Sequence, residues 1–263
     1  MTGQHYMHVG AAALQPFHQR SLGGDENDDW TESMSESLSF LRIVFSDEFK
    51  PRIEVDLLRR EEEDADDGVV LLFTDCAEET EFVDGVEERV DRVSFFVYKP
   101  RDGSYHSGHG VIPLEFRRSY FKQRKTYIGV GEECTAVGAF VSAPHLFVNR
   151  RVIHFVDNSG SRSHLVNGYA GQPDSARIVN VFHVAVMALR MRWWGEWIPS
   201  AANIADIMTR PERFAELRAG LEEGAVIHEY TFKMPPIDYD STDLVAWMRL
   251  MRAAGEESAR GSR

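Results

Sequence analysis

"HFVDNSGSRS", residues 154–163, poses the question from which the fold follows: an apolar run over Val152–Val156 stops on an aspartate, and the chain turns polar at once. Strands often end at Asp- and Asn-rich turns for backbone reasons. A carboxylate at the end of a buried strand is also a ligand, if other segments bring further carboxylates to it. A second run has the same form. "VVLLFTD", 69–75, is rich in branched residues and reads as a buried strand ending on Asp75.

Outward from these two runs, "RVSFFVYKP" (92–100) and "SYHSGHGVIP" (104–113) read as strands joined by "RDG", which has hairpin-turn chemistry. "IGVGEECTAVGAFVSA" (128–143) reads as a helix with Val130, Cys134, Val137 and Val141 along one apolar stripe. "RRVIHFVDN" (150–158) is the fourth strand. A short helix stopped at Gly168 follows, then a long one opened by Pro173 and running to about Met191. "WWGEWIPS" (193–200) is the fifth strand, and Ser200 or Asn203 caps a helix carrying Asp206. "AVIHEYTFKM" (225–234) is strand-like and "STDLVAWMRLMRAAG" (241–255) helix-like. This order predicts a mixed α/β sheet with helices on its faces.

Composition sets the outer bounds. At 263 residues and 43% hydrophobic content the chain can bury a full core and is not disordered throughout. No apolar run approaches the ~20 residues of a membrane span, and the start has no signal-peptide pattern, so an intracellular protein, cytoplasmic or nuclear, is expected. Two cysteines, Cys76 and Cys134, are too few for a disulfide framework or a structural zinc site. The net charge of −13 argues against a polyanionic partner until it is divided along the chain. Residues 25–91 hold 24 Asp and Glu against 6 Lys and Arg, a net of −18 that leaves +5 for the remainder. Within that acidic third, "RREEEDADDG" (59–68) reads as a solvated linker, and a helix is expected over Met34–Phe45 after an exposed loop at 21–33.

Four acids stand at element ends or on an inward helical face: Asp75, Glu133, Asp157 and Asp206. Taken singly they also read as turn residues, an exposed helix residue and a first-turn charge. Taken in order, "LLFTDCAEE", "YIGVGEECTAVGAFV", "RRVIHFVDNSGSRSHLVNGYAG" and "WGEWIPSAANIADIMTR" resemble the ribonuclease H-like domain of retroelement (retrotransposon) reverse transcriptases. The resemblance covers about residues 69–212. It implies a mixed five-stranded sheet, three antiparallel strands followed by two parallel additions, with helices on both faces. It also implies an endonuclease that hydrolyses the RNA strand of RNA–DNA hybrids, with Asp75, Glu133, Asp157 and Asp206 as catalytic metal ligands for two Mg2+ (or Mn2+) ions.

The chemistry suits these residue types, because paired divalent ions activate water and stabilise a leaving oxygen, and magnesium prefers carboxylate and water oxygens. Between the adjacent glutamates, Glu133 lies three residues after Val130 and four before Val137, on the inward side, and matches the family's E-x-x-A through Ala136. Glu132 is then a surface charge. Arg117, Arg118, Lys122, Arg124 and Lys125, in the basic and aromatic segment 116–127, are expected on substrate phosphates, and Asn158 and Asn203 on substrate or as caps. Trp193, Trp194 and Trp197 read as core and strand packing.

The expected organisation is a connection-like helical segment and acidic linker over 1–68, the ribonuclease H-like domain over 69–212, and an extension over 213–263. No polymerase motif is present, so a polymerase domain elsewhere in a parent polyprotein is the expected partner, beside the hybrid. The acidic "CAEETEFVDGVEE" after Asp75 departs from the family's small residues and opens a second reading, an inactive remnant serving as a binding or structural module. A transposase or exonuclease on the same general fold fits the acids but not "WIPSAANIAD".

Overall fold

The computed structural model describes residues 68–83, 86–210, 213–221, 224–235 and 246–254, together with positions 35, 38 and 257. The loop at 21–33, the helix expected over Met34–Phe45 apart from positions 35 and 38, and the charge run up to residue 67 lie outside the described residues.

Strands β1 (Val69–Val83) and β2 (Val86–Lys99) form a long antiparallel hairpin, and β3 (Ser104–Val111) pairs antiparallel with β2. The β2–β3 turn has the chemistry its sequence announces: Gly103 takes φ 67° and the Asp102 carboxylate accepts from the Ser104 amide. Strand β4 (Arg151–Val156) then adds parallel to β1, and β5 (Arg192–Trp197) parallel to β4. This is the expected arrangement of three antiparallel strands and two parallel additions. Among the described residues, however, the sheet has six strands rather than five, in the order β5-β4-β1-β2-β3-β6. Strand β6 (Ile227–Thr231), within the C-terminal segment, pairs parallel with β3.

Helices α1 (Leu114–Tyr120), α2 (Ile128–Ser142), α3 (Ser159–Asn167), α4 (Pro173–Ala188), α5 (Ile204–Thr209) and α6 (Phe214–Gly220) are distributed over both faces of the sheet. On one face Val70, Leu72, Val93, Phe95 and Val97 pack against Val130, Val137 and Phe140 of α2 and Phe182 of α4, and Met251 joins this core. On the other, Phe96 packs with Met208 of α5 and Leu217 of α6. Helix α3 begins on Asn158, whose side chain accepts from Gly160 N and Ser161 N, and stops at Gly168 with φ 64°.

Two expectations are corrected. First, β1 does not end at Asp75 but runs on to Val83, with Asp75 paired to Ser94 in mid-strand. Residues 76–83 continue the ladder, because β2 supplies a partner that a single run cannot reveal. Second, α2 has no solvent face over its middle: every residue from Val130 to Phe140 is buried. The sheet covers one side and α4 the other. Glycines allow these close approaches, since a Cβ at Gly131 would sit 2.3 Å from Cys76 Sγ and one at Gly138 would sit 2.1 Å from the Phe232 ring. No helix among the described residues is long and apolar enough to cross a membrane.

Candidate metal centre

The centre begins with strand register. The parallel β1–β4 ladder pairs Leu71 with Ile153 and Phe73 with Phe155, and stops there. The rings of Phe73 and Phe155 stack at 4.7 Å between centroids. Two residues further along each chain come Asp75 and Asp157, so side-chain alternation sends both carboxylates out beside each other where the two strands part. Alternation also turns Cys76 into the core against α2, which leaves no soft ligand from the strand beside Asp75.

The third acid is Glu132. Single carboxylate oxygens of Asp75, Glu132 and Asp157 all lie within 4.8 Å of one another. Glu132 is 2% exposed, which overturns its expected place as a surface charge. Its Oε1 accepts from the Cys76 amide at 3.3 Å, an approach opened by the close packing of α2 on β1 at Gly131. Its Oε2 has no hydrogen-bond partner among the described residues. Glu133 points elsewhere: its Oε1 meets His164 Nδ1 of α3 at 2.6 Å. Successive helical residues project about 100° apart, and with α2 packed on two sides both glutamates are interior. The choice of Glu133 over Glu132 assumed an exposed helix face that does not exist, and Glu133 is not brought into the cluster. Glycine beside the glutamate pair was the signal available in sequence, because a glycine inside a helix marks a close approach.

Burial and mutual repulsion dominate the electrostatics. Burial first, and the Asp157 carboxylate second, push Asp75 up to about 6 from 3.8, against a lowering hydrogen bond from Thr209. Burial, Asp75 and Asp157 hold Glu132 well above the usual carboxylate range. Burial raises Glu133 too, opposed by His164, and the same hydrogen bond raises His164. Three crowded carboxyls with a buried oxygen lacking a donor form an oxygen-only set that a hard divalent cation would satisfy.

Asp206 borders the cluster without joining it. Its carboxylate pairs with Arg210 at 2.9 Å and Arg213 at 3.1 Å, although its charge contributes to the upward shift of Asp75. Asn158 and Asn203 are caps. Asn203 Oδ1 accepts from Ala205 N while its amide donates to Thr74 O. Thr209, which sequence reading passed over, donates to Asp75 Oδ2 at 3.0 Å, and nothing in its local sequence signals that contact.

The basic segment divides in two. Arg117 is an internal strut, paired with buried Asp91 at 3.1 Å and lying over the Tyr127 ring. Arg124 likewise pairs with buried Asp174, which also accepts from the Lys122 amide at 2.8 Å. The side chains of Arg118, Lys122 and Lys125 are exposed. The tryptophans divide similarly: Trp193 is core, but Trp194 and Trp197 are 45% and 48% exposed, so packing accounts for only the first. The Trp197 indole donates to Asp157 O at 2.8 Å, which places an open aromatic ring beside the cluster.

No protein-family model matches the sequence, and no curated protein matches it. Among solved structures the chain is similar to the N-terminal RNase H domain of a Mycobacterium tuberculosis protein, determined as a fusion with maltose-binding protein. The identity is 15% and the TM-score 0.39, over 59% of this chain and 99% of that one.

Proposed function

We propose that this chain is a divalent-metal-dependent endonuclease that hydrolyses the RNA strand of RNA–DNA hybrids. The observation that carries the reading is the meeting of single carboxylate oxygens of Asp75, Glu132 and Asp157 within 4.8 Å of one another. These three would hold Mg2+ or Mn2+, with Asp206 at the border of the site. When bound, such ions supply Lewis acidity for water activation and for stabilising the leaving oxygen. The protein's part is to hold the carboxylates in register at the parting of β1 and β4, and to keep soft donors out. Arg118, Lys122 and Lys125 offer phosphate contacts on the segment leading into α2, and Trp197 offers a ring for a sugar or base beside the scissile bond.

The retroelement reverse-transcriptase origin, and a polymerase elsewhere in a parent polyprotein as partner, belong to the same proposal and are supported by the four sequence blocks. Asp206 would help hold a second ion if it exchanged its arginine partners for the cation. That ion pairing favours the second reading, a nucleic-acid-binding module with the fold but without turnover. The test uses a hybrid labelled on either strand, with Mg2+ or Mn2+, and an Asp157→Asn control. Cleavage of the RNA strand by the parent alone supports the nuclease. Equal cleavage by both proteins, or none by the parent with either metal, refutes it, and tight hybrid binding without cleavage then selects the module.

A further inference from the structure

We propose that Thr209 is a positioning residue that holds Asp75 for cation binding, an inference that rests on the metal-site reading above. The Thr209 hydroxyl lies 3.0 Å from Asp75 Oδ2 and 3.0 Å from Asp206 O, and the residue is 2% exposed. One hydroxyl hydrogen serves two acceptors, so donation goes to whichever carries more charge. With Asp75 ionised against a cation, the hydrogen belongs on Asp75 Oδ2, and one lone pair is thereby fixed.

Helix α5 is fastened so that this hydroxyl cannot drift. At its start the Asn203 amide donates to Thr74 O at 2.9 Å, one residue before Asp75. Along its length Ala205 O accepts from Ser94 Oγ at 2.8 Å, and Ser94 is the register partner of Asp75 on β2. At its end stands Thr209. Three hydrogen bonds thus fasten α5 around a single carboxylate, one on the carbonyl just before it, one on the side chain of its cross-strand partner Ser94 and one on the carboxylate itself. Valine at 209 keeps the shape and the packing but leaves Asp75 Oδ2 facing a methyl group. The Asp75 side chain then loses the contact that fixes its orientation toward Glu132 and Asp157.

The test is Mn2+ binding to the full chain by calorimetry, with hybrid affinity measured separately in EDTA. Thr209→Val is expected to weaken Mn2+ binding about 10- to 100-fold, as loss of a hydrogen-bond partner to a metal ligand generally does. Thr209→Ser should restore it to within about threefold, since the hydroxyl is what matters. Hybrid affinity without metal should be the same in all three proteins. Parent-like Mn2+ affinity in Thr209→Val overturns this inference alone, as does failure of serine to rescue. If the parent binds no Mn2+, the metal-site reading falls and this inference falls with it. Should valine prevent folding, Thr209→Ala against Thr209→Ser gives the same comparison.

Discussion

Replacing Asp75 by asparagine should make the metal-free protein more stable at neutral pH, although it removes a residue of the proposed site. The carboxyl is raised to about 6 from 3.8, first by burial and then by Asp157. Between those values the folded state holds a proton that the unfolded chain has released, so stability falls as pH rises through this window. The penalty is absent below 3.8 and complete above about 6. A displacement of about 2 pH units corresponds to about 3 kcal/mol at pH 7.5, shrinking to about 1 kcal/mol at pH 4.5. Asparagine keeps an oxygen for the Thr209 hydroxyl and carries no charge to desolvate. Relief of Glu132, which Asp75 also pushes up, acts in the same direction. For a chain of this size about 3 kcal/mol raises Tm by roughly 6–12 °C. Thermal unfolding in EDTA at pH 7.5 and 4.5 reads both the gain and its pH dependence. Saturating Mg2+ should reverse the order, because a ligand that binds only the folded parent adds stability the variant cannot gain. A variant less stable than the parent at pH 7.5 in EDTA, or a gain that does not change with pH, would refute the reasoning.

Glu132→Gln should abolish the Mg2+-dependent rise in Tm and any hybrid cleavage, whereas Glu133→Gln should retain the metal response; the opposite pattern in a thermal-shift assay would return the site to Glu133. Gly131→Ala places a methyl group against Cys76 Sγ, a clash of about 1–3 kcal/mol that separates α2 from β1, and calorimetry should show metal affinity lost while the fold persists. Replacing both Arg118 and Lys122 by alanine should lower the slope of log affinity against log salt for a hybrid by about 2, and unchanged salt dependence would remove this segment from the interface. Arg117→Ala, by contrast, should cost about 3 kcal/mol in chemical denaturation by stranding buried Asp91, near the low end for a broken buried pair because burial already favours its protonated form.

The sequence by itself determined the succession of strands and helices over 69–212, the hairpin turn before Ser104 and the caps of α3, while the arrangement of the sheet came only as an implication of the family resemblance. The first three are legible because apolar runs, turn residues and capping side chains act within a few positions of the chain. What lay beyond reach depended on a second surface. Periodicity separates inward from outward on a helix with one buried side, but α2 is enclosed on two, so only packing decided that Glu132 faces Asp75 and Glu133 faces His164. The continuation of β1 past Asp75 depended on β2, and the sixth strand on a free edge of β3. The arginine partners of Asp206, the exposed ring of Trp197 and the Thr209 hydroxyl at Asp75 were likewise set by tertiary structure alone. A hydrogen bond across the fold leaves no periodic trace in either of the segments it joins, and it exists only once the sheet has brought them together.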